Sequence, residues 1–264
     1  MKEISVILLV LYNFHLAAQN YDKGVALYYK GKYEESILYF NKAIEKKDNL
    51  SKSYMMRGSA RTYLNAFTTA ASDLNESLRI DSSNYKVYYY LGRLFMKQGF
   101  YINALSHFNK AIQIDSTNSD IYDDRAIIKG KVGDYDGVIS DETIAIKLNP
   151  NIADYYTTRG IAKHHLKMFN EAILDYDKAI QIENKPEAYS NRGLTLANQG
   201  KHKEAIKDYC FALSKHPEWK DVLYLRGISY KALGQTKEAC LDFENSSKKN
   251  YPLAEKELKE ICPH

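Results

Sequence analysis

Glycine recurs at Gly24, Gly58, Gly92, Gly160, Gly193 and Gly227, and Ala126 fills the one gap, giving steps of 34, 34, 34, 34, 33 and 34 residues. A fixed step of this size marks a supersecondary unit that cannot bury its apolar face alone and must stack on its neighbours. Twelve residues after each marker stands a small or β-branched residue: Ser36, Ala70, Ala104, Val138, Ala172, Ala205 and Ala239. Four further on comes a large one in six of seven units: Phe40, Leu74, Phe108, Tyr176, Tyr209 and Phe243. Three more brings Ala43, Ser77, Ala111, Ala145, Ala179, Ala212 and Ser246. Steps of four and three place these residues on one helical face.

Four residues before the markers stand Tyr54, Tyr88, Tyr122, Tyr156, Tyr189 and Leu223, on a first helix that they share with the glycine. Each unit is therefore two helices. Small residues let the pair approach closely and large ones fill the gaps. Gly31, Gly99, Gly133, Gly200 and Gly234 mark the turn between them, because glycine takes the left-handed conformation cheaply at a helix end. Pro150 and Pro217 close units four and six, and Pro186 opens the sixth. All five prolines are expected outside the helical patterns.

The period and pattern are similar to those of the tetratricopeptide repeat, a helix-turn-helix unit. The resemblance covers about residues 17 to 251, as repeats 17–50, 51–84, 85–118, 119–152, 153–185, 186–219 and 220–251. It implies an all-α solenoid of seven helix-turn-helix repeats, wound as a right-handed superhelix. The tail 252–264 supplies a capping helix with Ala254, Leu258 and Ile261 on one face. The family usually serves as a non-catalytic binding scaffold for a protein or peptide partner, with no cofactor.

Within the repeats, arginine and aspartate occur together or not at all. One residue before the marker stand Arg57, Arg125, Arg159, Arg192 and Arg226, and sixteen residues on stand Asp73, Asp141, Asp175, Asp208 and Asp242. Units one and three have neither, so an Arg–Asp contact between the two helices of one unit is expected. Unit four departs most: Glu142 holds the large position and Lys129 an inward one, and the two are expected to meet or to reach water.

Groove residues of the family come from the first helix. Carried over, they are Tyr21, Tyr28 and Tyr29, then Lys52, Met55 and Tyr63, then Lys86, Tyr89, Arg93 and Lys97. Later units contribute Asp120, Asp123, Asp154, His164, Glu187, Asn198, Asp221 and Tyr224. The first half is aromatic and basic, the second largely acidic, a polarity that could orient an extended peptide or helix. The family's chaperone-tail clamp is a poor match, since Tyr21 and Val25 occupy its lysine and asparagine places and Tyr90 its arginine.

Rival functions fare worse. Net charge is +4, from 37 basic and 33 acidic residues, too balanced for a nucleic-acid surface. Adjacent His164 and His165 diverge on a helix, the three cysteines lack zinc spacing, and no HExxH, GxSxG or phosphate loop occurs. The alternative to groove binding is a structural subunit of a cell-envelope complex that uses the outer face.

The first nineteen residues, MKEISVILLVLYNFHLAAQ, read as a cleaved secretory signal, or else as an uncleaved first helix. No later segment could span a bilayer. A secreted or periplasmic location fits a disulfide between Cys240 and Cys262, which antiparallel helices would bring level. Cys210 is left over, expected to pack as a small hydrophobe.

Overall fold

The computed structural model describes residues 20–262, and the predicted signal at 1–19 lies outside them. Every regular element among them is a helix. They are α1 (20–29), α2 (Tyr33–Glu45), α3 (Leu50–Tyr63), α4 (Phe67–Ile80) and α5 (Tyr85–Lys97). Then come α6 (Tyr101–Ile114), α7 (Ser119–Lys131), α8 (Tyr135–Leu148), α9 (Ala153–His165) and α10 (Phe169–Ile182). The last are α11 (Pro186–Asn198), α12 (His202–Lys215), α13 (Lys220–Ala232), α14 (Thr236–Ser247) and α15 (Pro252–Ile261). The chain forms two compact units that divide after Ile128, inside α7.

Within each unit the helices pack on their sequence neighbours: α2 on α3, α3 on α4, α4 on α5 and α5 on α6 in the first. In the second, α8 through α15 do the same in order. First helices also touch across repeats, as α3 does α5 and α9 does α11. Contacts are thus local, as a repeat array requires.

The markers explain the period physically. Each glycine lies under the large residue of its partner helix, and a Cβ on Gly160 would fall 2.7 Å from the Tyr176 ring. Gly24 meets Phe40, Gly193 meets Tyr209 and Gly227 meets Phe243 in the same way. Phe40, Leu74 and Phe108 in the first unit, and Tyr176, Tyr209 and Phe243 in the second, are wholly or almost wholly buried. Glu142 is buried at the corresponding place in unit four. Two serines that replace the small alanine gain a bond by it: Ser77 Oγ donates to the Ser51 carbonyl at 2.8 Å, and Ser246 Oγ to that of Lys220 at 2.6 Å.

The turn glycines have φ between 72° and 82°. Repeats two and five lack a turn glycine and put Asn65 and Lys167 in the same left-handed state, both at φ 60°. Two prolines differ from expectation: Pro186 and Pro252 are the first residues of α11 and α15, where the missing N–H costs nothing.

Candidate interaction site and its supporting contacts

Four of the five Arg–Asp pairs lie within one unit, and all four share one geometry. Arg57 Nη2 and Nε donate to the two Asp73 oxygens at 2.7 and 2.9 Å. Arg159 meets Asp175, Arg192 meets Asp208 and Arg226 meets Asp242 with distances of 2.7 to 2.9 Å. The carboxylates are nearly buried, so a planar two-point grip suits them. Arg125 and Asp141 lie on opposite sides of the division after Ile128.

Sequence comparison missed the third arm of each arginine. Nη1 reaches back to the second helix of the preceding repeat. Arg57 donates to Asn41 and Arg125 to Asn109, both at 2.6 Å, and Arg159 to Thr143 at 3.1 Å. Arg192 donates to Asp177 at 2.5 Å and Arg226 to the Cys210 sulfur at 3.3 Å. Arg57, Arg159, Arg192 and Arg226 are thus clasps: two arms hold the arginine's own hairpin and one holds the repeat before it. The acceptors differ in chemistry, so no residue type recurs to reveal them. Cys210 is exposed beside Arg226, not packed as a small hydrophobe.

Unit four needs a correction. The carboxylate that Lys129 takes is Asp141, at 2.9 Å, rather than Glu142. Lys163 does the same one repeat on, reaching Asp175 at 2.7 Å, and Arg61 reaches Asp73 at 2.6 Å. A cation one helical turn after the marker's arginine therefore reaches the unit's aspartate, as a second charge on Asp73 and Asp175, a recurrence that the sequence does show at Arg61, Lys129 and Lys163.

In the first unit, α1, the start of α2, α3, α5 and the loop leading into α7, with that helix's first turn, wall a cleft of about 300 Å³. Six tyrosines line it: Tyr28, Tyr29, Tyr33, Tyr63, Tyr89 and Tyr90. Lys86, Arg93, Asn118 and Asp120 supply its polar groups. Tyr33 and Tyr63 stack flat at 4.5 Å, and Tyr28 meets both edge-on. Tyr28 and Tyr89 are nearly buried and form the floor, and the Tyr28 hydroxyl lies 2.7 Å from that of Ser59. Tyr29 is 75% exposed and forms the rim. Burial pushes the hydroxyls of Tyr28, Tyr89 and Tyr90 well above the ordinary tyrosine range, so they stay protonated donors.

Arg93 stands at the centre. Its guanidinium lies 5.4 Å from the Tyr63 ring and 5.7 Å from that of Tyr89. Nε sits 3.4 Å from Asp124, and Nη1 donates to the Tyr89 hydroxyl at 3.4 Å. Burial works against the charge, and Asp124 with the tyrosines more than restores it. Burial raises Asp124 above the usual carboxylate range, and Arg93 only partly opposes this.

Not every predicted groove residue faces this cleft. Lys97 caps α3, donating to the Thr62 and Tyr63 carbonyls at 3.2 and 3.0 Å, where the helix dipole favours a cation. Lys52 is exposed on α3 and does not line the cleft, and Asp123 is half-buried on α7. In the second unit, Asp154 takes Lys185 at 2.8 Å. Glu187 and Asp221 line a shallow hollow of about 190 Å³ with Trp219 and Asn191. Tyr33, Tyr90 and Asn118 were missed, since two lie outside the first helices and Tyr90 was read as a vacant arginine place. The signal for Tyr90 was the cluster of Tyr85, Tyr88, Tyr89 and Tyr90.

Cys240 and Cys262 are joined by a disulfide, with Cα atoms 5.7 Å apart, which ties α14 to the end of α15. Among the described residues no group of three His, Cys, Asp or Glu could hold a metal ion. No helix among them is long and apolar enough to cross a membrane.

Profiles of the tetratricopeptide repeat match residues 20–47, 85–118, 153–186, 186–214 and 221–253. With the helical hairpins and their marker contacts, these place the chain in the tetratricopeptide-repeat family. No curated protein sequence matches the chain. Among solved structures, it is similar to PilF of Pseudomonas aeruginosa, with TM-score 0.70, 18% identity, and coverage of 79% of this chain and 96% of that one. It is also similar to YrrB, described as a repeat protein with an unusual peptide-binding site, at TM-score 0.60 and 22% identity over 70% and 95% of the chains. A tetratricopeptide-repeat protein from Parabacteroides merdae gives TM-score 0.63 and 15% identity over 92% and 97%. These likenesses concern the fold.

Proposed function

We propose that the chain is a non-catalytic interaction module whose first unit holds an extended peptide, or an exposed segment of a protein partner, in the tyrosine cleft. The observation that carries this reading is the convergence of six tyrosines on one cleft around a guanidinium that is only loosely paired. Tyrosine and arginine are the side chains that most often dominate binding energy, because they offer large contact area and donors at small entropic cost. The peptide-binding site of YrrB supports the same class of role on a similar fold. The clasp arginines, by contrast, have their donors committed to stacking the repeats. The signal-like start and the Cys240–Cys262 disulfide together support a secreted or periplasmic location.

Lys86 and Tyr29 are both exposed, so they can be changed without disturbing the core. Affinity capture from envelope extract with the mature chain, compared with Lys86→Glu/Tyr29→Ser, tests the reading. The variant is expected to keep its melting temperature and lose the captured partner. Undiminished capture by the folded variant would overturn cleft binding. That result would favour an envelope-complex subunit using the outer face, where Leu38, Leu174 and Leu241 are 60%, 67% and 59% exposed at equivalent places on the second helices.

A further inference from the structure

The cleft's donors define what it takes more narrowly than the family does. Arg93 differs from the clasp arginines. Those use Nε, Nη1 and Nη2 on oxygen or sulfur acceptors, whereas Arg93 makes two long contacts and its Nη2 has no hydrogen-bonding partner among the described residues. Lys86 is exposed, its ammonium 5.9 Å from the Tyr85 ring. The two cations are seven residues apart on α5, two turns, which separates them by about 10.5 Å along one helix face. Tyr89 and Tyr90 lie between them, and both line the cleft.

Resting on the peptide-binding reading above, we infer that the cleft recognises a polyproline-II segment bearing two acidic side chains three residues apart. In that conformation residues i and i+3 point the same way and lie about 9.3 Å apart, close to the spacing of the cations. A β-strand cannot match this, since residues three apart point to opposite faces. Aromatic-lined grooves suit proline rings, and the preformed helix loses little entropy on docking. Arg93 offers its free Nη2 edge to one carboxylate and Lys86 its ammonium to the other. Asp120, on α7, lines the same cleft and repels acid there, so the acidic edge of the ligand faces α5.

Four peptides test this, three with blocked ends and one a free acid. The blocked probes carry Glu-Pro-Pro-Glu, Gln-Pro-Pro-Gln and Glu-Gly-Gly-Glu cores with acetyl and amide ends, and the fourth is the Gln-Pro-Pro-Gln core with a free C-terminal carboxylate. Binding is read by calorimetry at low salt with the full mature chain. The Glu-Pro-Pro-Glu peptide is expected to bind about tenfold or more tightly than either blocked control. Lys86→Glu, an exposed change, should remove the preference for Glu over Gln, and Arg93→Gln should weaken the Glu peptide selectively. Equal binding of the Glu and Gln peptides, both lost in Lys86→Glu/Tyr29→Ser, would overturn the acidic assignment and leave the cleft reading intact. Equal binding of the glycine-spaced peptide would overturn the polyproline assignment. A free-acid peptide as tight as the Glu peptide would assign the site to a chain end instead. Absence of binding by all four would overturn the inference, while capture by the wild type and not the double variant would still uphold the cleft.

Discussion

His164 has both ring nitrogens in use. The Thr195 hydroxyl donates to the Asn191 carbonyl at 2.9 Å, so it accepts from His164 Nδ1 at 2.8 Å. Nε2 then accepts from the Asn198 amide at 3.3 Å. This pattern suits the neutral ring and leaves no acceptor for a second proton. Burial, with His165 adding to it, lowers the His164 pKa. Burial alone lowers that of His107, which stacks on Phe95 at 5.3 Å. A histidine depressed in the fold stabilises above its ordinary pKa of about 6.5, and the benefit is lost as pH falls through the folded value. Urea unfolding of the chain should therefore show a lower midpoint at pH 5 than at pH 7.5. His164→Gln should flatten that slope; an unchanged slope would show that the contact carries no pH dependence.

The clasp arginine belongs to the scale of the helix pair. It joins two helices of one hairpin and one of the hairpin before it, so its loss should loosen both contacts. Asp175 is nearly buried and holds Arg159 and Lys163 together, so Asp175→Ala leaves two cations facing each other with no carboxylate. A cost of about 3 kcal/mol is expected, and replacing Arg159, Lys163 and Asp175 together by apolar residues should recover most of it. Chemical denaturation of the single and triple variants measures this; a single variant within 1 kcal/mol of wild type would contradict it, that margin being the size of an exposed pair. At this scale the sequence was most informative. Marker glycines and their large partners are legible because sterics admit few residue types, and Arg and Asp because each needs the other. The back-reaching arm was illegible because an amide, a hydroxyl, a carboxylate or a sulfur can each accept one N–H. Lys129 was misassigned because Glu142 stood out by its rarity, whereas the better guide was the matching place of Arg61 and Lys163. The cleft was half visible: its first-helix residues follow from the family register, but Tyr33 enters from a second helix and Asn118 from a loop.

At the scale of the whole chain, stability is a sum over neighbours rather than the property of one core. The Cys240–Cys262 bond should consequently act locally. Cys262→Ser, or reduction, should cost about 2–5 kcal/mol where that last pair is concerned. Hydrogen exchange should rise in α14 and α15, with the tyrosine cleft of the first unit unaffected. Accelerated exchange in α3 or α5 would show a coupling that nearest-neighbour packing does not provide. Peptide binding by the reduced chain gives the functional counterpart and should match that of the oxidised one.

The same bond alters how the chain answers to force. A repeat array drawn out from its ends lengthens hairpin by hairpin, each freed residue adding at most about 3.6 Å of contour. The 22-residue interval between the two cysteines cannot join in, because tension passes through sulfur and bypasses α15. Stretched under oxidising conditions, the molecule would reach full extension roughly 70 Å sooner than its reduced form.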